Sequence, residues 1–300
     1  MANTKSVLIV GGSGLIGGIL AKKLREGYKV YATYCKHPSV IPGVTFLPMD
    51  VENRNWVKRV VYTTQPNVVI YAAGNDSMEW AEKNAKISEK LHADGPTTLA
   101  SSTDIMQPRF IYLSNAYLFD GSRGNYHEND TILPGTVIGR MKSGGENVTK
   151  SKCLNYIILR ASPLFGRSNG YNLSLMDRLR MALDRGQRIE LSTDERHSFG
   201  YAEGLCDMVI RLIGSGVKNR IFHYGGLTKM NHFEFGRAFA KRFGYDPNLV
   251  VAKGVTQKAG GEPLFDYSLN CTAAAEILKI KPLLLEESFD LIEKQLIPSL

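Results

Sequence analysis

The chain has 300 residues, 43% of them hydrophobic, with 37 Lys and Arg against 29 Asp and Glu for a formal charge of +8. That length fits one large α/β unit or two closely associated lobes, and that apolar fraction argues against disorder. No apolar run approaches the roughly 18 residues of a membrane span, and Ser6–Val10 is too short for a signal-peptide core, so the expected location is the cytoplasm.

The first half alternates strand-like and helix-like segments. Ser6–Val10 is a short β-rich run, and Leu15, Ile16, Ile19, Leu20 and Leu24 then recur at helical spacing, with Gly27 where a helix stops. Lys29–Thr33 and Val44–Leu47 read as strands and Glu52–Thr64 as a helix. Asn67–Ala73 is nearly continuously apolar, as a central parallel strand covered on both faces requires. Ser77–Ser102 is predicted as one long helix, Arg109–Ser114 as a strand, Gly135–Lys150 as a helix and Asn155–Ala161 as a strand. This alternation predicts an α/β fold, a doubly wound parallel sheet of Rossmann type. After Pro163 the rhythm changes: helices over Leu173–Arg185, Tyr201–Ile213, His232–Phe243 and Leu285–Leu296 are separated by short strands and loops. The expected division is a dinucleotide-binding domain over 1–162, to which some later segments return, and a smaller substrate-binding lobe over 163–300.

Cysteines 35, 153, 206 and 271 form no C-x-x-C pair, so reduced, inert thiols are expected. The six histidines show no metal-binding spacing, and no metal is expected. The basic residues are scattered and carry no nucleic-acid motif, which leaves attraction of small phosphorylated ligands as the better reading of the charge.

Gly11-Gly12-Ser13-Gly14-Leu15-Ile16-Gly17 lies between the first strand and the first helix. Glycines there let the chain turn tightly and let a pyrophosphate approach, and the helix N-terminus offers it N–H groups and partial positive charge. Strand, glycines and helix in that order predict a dinucleotide site at Gly11, Gly14, Leu15, Ile16 and Gly17. An NAD site places an acid after the second strand, yet no acidic residue occurs from Tyr28 to Met49. Thr33 can hydrogen-bond there, and Lys36 or His37 can neutralise a 2′-phosphate, so NADP(H) is expected over NAD(H).

These motifs resemble those of the extended short-chain dehydrogenase/reductase superfamily. The most similar branch is the dTDP-4-dehydrorhamnose reductase group, which also includes the regulatory β subunit of methionine adenosyltransferase. The resemblance covers nearly the whole chain. Asp50 and Val51 match the family's adenine-contacting segment, and Val69-Ile70-Tyr71-Ala72-Ala73-Gly74 resembles a strand ending in Asn-Ala-Ala, with Ala72 and Ala73 beside the cofactor. Tyr112 to Gly121 is similar to the Ser-Thr-Asp-Tyr-Val-Phe-Asp-Gly segment, Tyr126-His127-Glu128 to Tyr-x-Glu, and Pro134 to Lys142 to Pro-x-x-x-Tyr-Gly-x-x-Lys. Leu159–Ser162, Phe199–Leu205 and Tyr267–Asn270 resemble the segments that shape the sugar pocket and the C-terminal region.

The resemblance implies a catalytic tetrad of Asn, Ser/Thr, Tyr and Lys, and this chain departs from it at three positions. Ile138 stands at the tyrosine, Asn115 (after Ser114) at the Ser/Thr, and His92 at the asparagine, while Lys142 is kept. The family lysine holds the nicotinamide ribose and lowers the tyrosine's pKa. Candidate catalytic residues are therefore Lys142, Ser114 and Asn115, with Tyr117, Arg160 and Arg196 as candidate substrate contacts. Two functions follow. One is an NADP(H)-dependent reductase of altered or weak activity on a nucleotide-linked 4-keto sugar. The other is a catalytically silent NADP(H)-binding regulator or sensor. The resemblance also implies a homodimer paired through Ser77–Ser102 and Gly135–Lys150.

Overall fold

A computed structural model describes residues 4–168, 173–254 and 264–296. In chain order the elements are β1 (Ser6–Val10), α1 (Leu15–Leu24), β2 (Lys29–Tyr34), β3 (Val44–Pro48), α2 (Arg54–Thr64), β4 (Val68–Tyr71), α3 (Met78–Lys83), α4 (Ala85–Glu89), a π-helical turn (Lys90–Asp94), α5 (Gly95–Ser102) and β5 (Arg109–Asn115). There follow α6 (Val137–Lys152), β6 (Tyr156–Ala161), β7 (Leu164–Phe165), α7 (Leu175–Leu183), β8 (Ile189–Ser192), β9 (Glu195–Arg196), β10 (Gly200–Tyr201), α8 (Ala202–Gly214) and β11 (Arg220–Tyr224). The last elements are α9 (His232–Arg242), β12 (Val250–Lys253), β13 (Phe265–Asp266), α10 (Thr272–Leu278) and α11 (Leu285–Leu296).

Seven strands form one sheet in the order β11-β6-β5-β4-β1-β2-β3, with every neighbouring pair parallel. Strand order reverses beside β1, which places a crevice at the C-terminal edge between β1 and β4. Because side chains alternate across a strand, Val7 and Ile9 face one helical layer while Leu8 and Val10 face the other. The first layer includes α1, α8 and α10, and the second α2 and α5. Helix starts carry their own signals: Asn53 accepts from Asn55 and Trp56 amides ahead of α2, and Ser174–Asp177 and Asn231–Glu234 form capping boxes on α7 and α9.

Residues beyond 163 serve two structures. β11, α8 and α10 complete the large sheet and its cover, whereas α7, α9, α11, β8 and β12 surround a separate apolar cluster centred on Phe165, Phe235 and Phe289. The short strands β8, β9, β12 and β13 and helix α10 escaped the reading of periodicity.

The single long helix expected over Ser77–Ser102 is corrected to α3, α4, the π-helical turn and α5 in succession. Asn84 breaks it first, with non-helical φ −131° and ψ 44° and its Nδ2 donating to the Trp80 carbonyl at 2.9 Å. Pro96 then has no N–H to return to the His92 carbonyl, and Gly95 N–H bonds the Lys90 carbonyl instead of that of Leu91. Two buried phenols take the freed acceptors: Tyr71 Oη donates to Leu91 O at 2.5 Å and Tyr112 Oη to His92 O at 2.9 Å.

Candidate functional site

The glycine loop is shaped by contacts that leave no room for side chains. Gly11 has φ +88°, and a Cβ there would lie 2.7 Å from the Ala73 backbone at the end of β4. A Cβ on Gly17 would stand 2.2 Å from the Gly11 carbonyl oxygen. Thr33 is turned inward: its Oγ1 accepts from Gly11 N at 3.2 Å and its carbonyl from Gly12 N at 2.7 Å. Thr33 thus ties β2 to the loop. α1 begins at Gly14 with no side-chain cap and no acid in its first turn. The first-turn amides of Leu15, Ile16 and Gly17 have no partner within the helix, and they carry the positive end of its dipole. This cradle fits a pyrophosphate.

Beyond β2, Cys35, Lys36 and His37 are exposed. Asp50, after β3, receives the Glu52 amide at 2.9 Å, and Val51 is buried beside it. The Met49 N–H donates to the Tyr34 carbonyl at 2.8 Å, which brings Asp50 beside the end of β2. Ala72 and Ala73, half-buried, close the far side of the crevice at the end of β4.

A second group converges at the ends of β4 and β5. Thr136 caps α6 by accepting from Gly139 N at 3.1 Å. Ile138 and Lys142 then share a helix face at i, i+4. Lys142 is 3% exposed; its Nζ donates to Leu113 O at 2.9 Å and pairs with Asp76 Oδ1 at 2.9 Å. Asn115 Nδ2 donates to the same Asp76 oxygen at 3.5 Å, and Asn115 Oδ1 receives the Tyr117 amide at 3.1 Å. The Lys142 ammonium beside it, with the hydrogen bond from Asn115, holds the Asp76 carboxyl below the usual carboxylate range. Ser114 Oγ is buried without a hydrogen-bond partner. Ile138 is fully buried in an apolar cluster with Ala81, Ala116, Tyr117 and Phe119.

His92 sits behind this group, held by the carbonyl-to-phenol bonds of the π-helical turn. Its Nε2 meets Asn75 O at 3.2 Å, and its ring fills the space beside Gly74, where a Cβ would come within 2.0 Å. Burial, with the Lys142 charge, pulls its pKa down to about 3, so the imidazole is neutral at pH 7.

The candidate substrate residues divide. Tyr117 Oη donates to Glu195 Oε2 at 2.9 Å, and His197 Nε2 meets the same oxygen at 3.1 Å. Burial, reinforced by Glu195, pushes the Tyr117 phenol well above its usual pKa. Arg196, on β9, has its Nε buried without a partner. Arg160 is a correction: it is 1% exposed, forms a bidentate pair with Glu146 at 2.9 and 2.8 Å, and gives Nη1 to Glu128 O at 3.1 Å. It shares its β6 face with Ile158, turned towards α6 and its buried Glu146, so its charge is spent inside the fold rather than on a ligand. Tyr126 stacks on Phe119 at 4.2 Å and donates to Asp120 at 2.5 Å, which orders a loop. Sequence reasoning missed Asp76, Glu195 and His197. Only Asp76 carried a signal, as a charged residue just past the C-terminal end of a central strand.

A sheet with this strand order, a glycine cradle at β1 and a buried lysine on α6 defines a member of the extended short-chain dehydrogenase/reductase superfamily. The chain matches the RmlD substrate binding domain family over residues 5–281 and belongs to that family. It is 28% identical over 240 residues to dTDP-4-dehydrorhamnose reductase of Aggregatibacter actinomycetemcomitans, covering 77% of each chain. It is 24% identical over 248 residues to methionine adenosyltransferase 2 subunit beta of Bos taurus, covering 80% of this chain and 72% of that one. A crystal structure of dTDP-4-dehydrorhamnose reductase from Bacillus anthracis in complex with NADP has the same fold, with a TM-score of 0.81, 20% identity and 98% and 99% coverage.

Proposed function

We propose that the chain binds NADP(H) and acts as a reductase on a nucleotide-linked 4-keto sugar with altered or weak hydride transfer. One observation carries this reading: Lys142 is kept, buried and oriented, one helical turn from a residue with no proton to give. The cofactor supplies a hydride when bound. Hydride addition to a ketone builds negative charge on oxygen, and that charge needs a donor. Ser114 and Asn115 would supply hydrogen bonds there, and Arg196, half-buried with its Nε unpartnered, would meet the sugar, while Tyr117 gives its hydroxyl to Glu195. A missing general acid removes about 10²–10⁴-fold in rate, or roughly 3–5.5 kcal/mol of barrier. The exposed Lys36 and His37, with no acid after β2, favour the 2′-phosphate of NADP(H) over NAD(H). Two copies pair through α3–α5 and α6, and light scattering at micromolar concentration checks this.

The test is NADPH oxidation by the purified protein across a panel of 4-keto nucleotide sugars, alongside calorimetric binding of NADPH. Binding with turnover well below about 1 s⁻¹ supports the reading, and absence of NADPH binding defeats it.

The full burial of Ile138 and the likeness to a subunit of methionine adenosyltransferase favour a second reading, a silent NADP(H)-binding regulatory or sensor protein. NADPH binding with no turnover on any keto sugar, together with a change in a partner enzyme's activity, supports it.

A further inference from the structure

The C-terminal ends of β1, β4 and β5 lie side by side. Adjacent strands are about 4.8 Å apart, so the two spacings on either side of β4 put the end of β1 roughly 10 Å from that of β5. A dinucleotide whose pyrophosphate rests on α1 therefore carries its second ribose over the ends of β4 and β5. Lys142, Asp76 and Asn115 meet there.

A ribose presents a vicinal diol, two donors that are also acceptors. Ile138 offers it nothing polar from the face of α6 that carries Lys142. Lys142 has three N–H donors, two of them given to Leu113 O and Asp76. Asp76 is the complementary half: its side chain is 62% exposed, and no described residue donates to its Oδ2. A carboxylate accepting from a ribose diol is the same chemistry that binds the adenosine ribose in NAD sites.

We propose that Asp76 is a cofactor-binding residue, its carboxylate accepting a hydrogen bond from the ribose next to the nicotinamide while Lys142 donates to that sugar. The assignment rests on the NADP(H) reading above. The loss of a polar group on α6 is met from the β4 loop. Asp76 and Lys142 act as one acceptor–donor pair.

Calorimetry with three probes tests this on the wild type, Asp76→Asn and Asp76→Ser. NADPH carries the second ribose and the nicotinamide. 2′-Phospho-ADP-ribose carries that ribose alone. 2′,5′-ADP carries neither and reports on the fold of the adenosine half. Both variants should bind NADPH and 2′-phospho-ADP-ribose about tenfold or more weakly, as expected for losing a charge-assisted hydrogen bond, with 2′,5′-ADP unchanged. Unchanged or tighter NADPH binding overturns the proposal, and tighter binding makes Asp76 a competitor for Lys142. An equal loss for all three probes, or a loss for NADPH alone, also overturns it. A wild type that binds none of the probes defeats the NADP(H) reading itself, a separate result from any variant effect.

Discussion

Ile138→Tyr places a phenol one helical turn before Lys142. Its consequences divide into stability and rate. The isoleucine is fully buried in the cluster of Ala81, Ala116, Tyr117 and Phe119. Adding a larger ring to a filled cluster costs about 1–3 kcal/mol. At about 2–4 °C per kcal/mol for a chain of this size, Tm falls by roughly 2–12 °C. The phenol then stands near the Lys142 ammonium, which lowers its pKa. The Asp76 carboxylate, 2.9 Å from Nζ, offsets part of that effect. The gain in turnover on a 4-keto nucleotide sugar is therefore expected at the lower end of the roughly 10²–10⁴-fold worth of a positioned acid. Asn115→Thr added to it supplies a hydroxyl for the oxyanion and increases the gain. The assay is the initial rate of NADPH absorbance loss at saturating substrate, with thermal denaturation alongside. A parent protein that already turns over at about 1 s⁻¹ or faster refutes the idea that Ile138 is the lesion. A Tm that does not fall refutes the claim that the site is filled.

Lys36→Ala should narrow the preference for NADPH over NADH in calorimetry, and equal affinities in the parent would remove the basis for the 2′-phosphate assignment. Glu146→Gln leaves the Arg160 guanidinium buried without its partner and should cost about 3–5 kcal/mol in urea unfolding; the double change Glu146→Leu, Arg160→Met should cost less, and equal losses would show that the pair is not coupled. Tyr71→Phe removes the donor to the Leu91 carbonyl and should cost about 1–3 kcal/mol, with Tyr112→Phe adding non-additively because both phenols hold one turn. His92, His223 and His232 are each held neutral by burial, with pKa lowered from 6.5 to about 3. The unfolded chain takes up these protons first as pH drops, so their contribution is complete above pH 6.5 and is lost as pH falls towards 3. Between about pH 6.5 and 4.5, above the carboxylate range, stability should fall by up to about 1.4 kcal/mol per pH unit for each histidine. A flat urea midpoint over that range would count against their neutral burial.

The parts legible in the sequence were those written locally. Gly11–Gly17 declares its turn within seven residues, and the strand and helix periods of the first half rest on near neighbours. The breaks at Asn84 and Pro96 were local too, but the turn between them is held by Tyr71 and Tyr112, each 20 residues from the carbonyl it meets. Asp76 and Asn115 lie 39 residues apart and Tyr117 and Glu195 lie 78 apart, so neither pairing has a spacing to read. Arg160 misled because a charge near a pocket-like segment suggests a ligand, whereas strand parity turned it towards Glu146 inside.

The position of β11 has a consequence for the order in which the protein is made. β6 carries the backbone donors and acceptors that β11 uses, and α8 and α10 cover the apolar face of Val7, Ile9, Ile111 and Ile157. A ribosome-bound chain that has emerged only to about residue 162 thus presents an open strand edge and a bare hydrophobic surface, the features that recruit other chains. The sheet closes only when residue 224 has appeared, and its cover only after residue 278. From residue 163 to residue 278 the growing chain carries that surface uncovered, a span in which it is prone to associate with other chains.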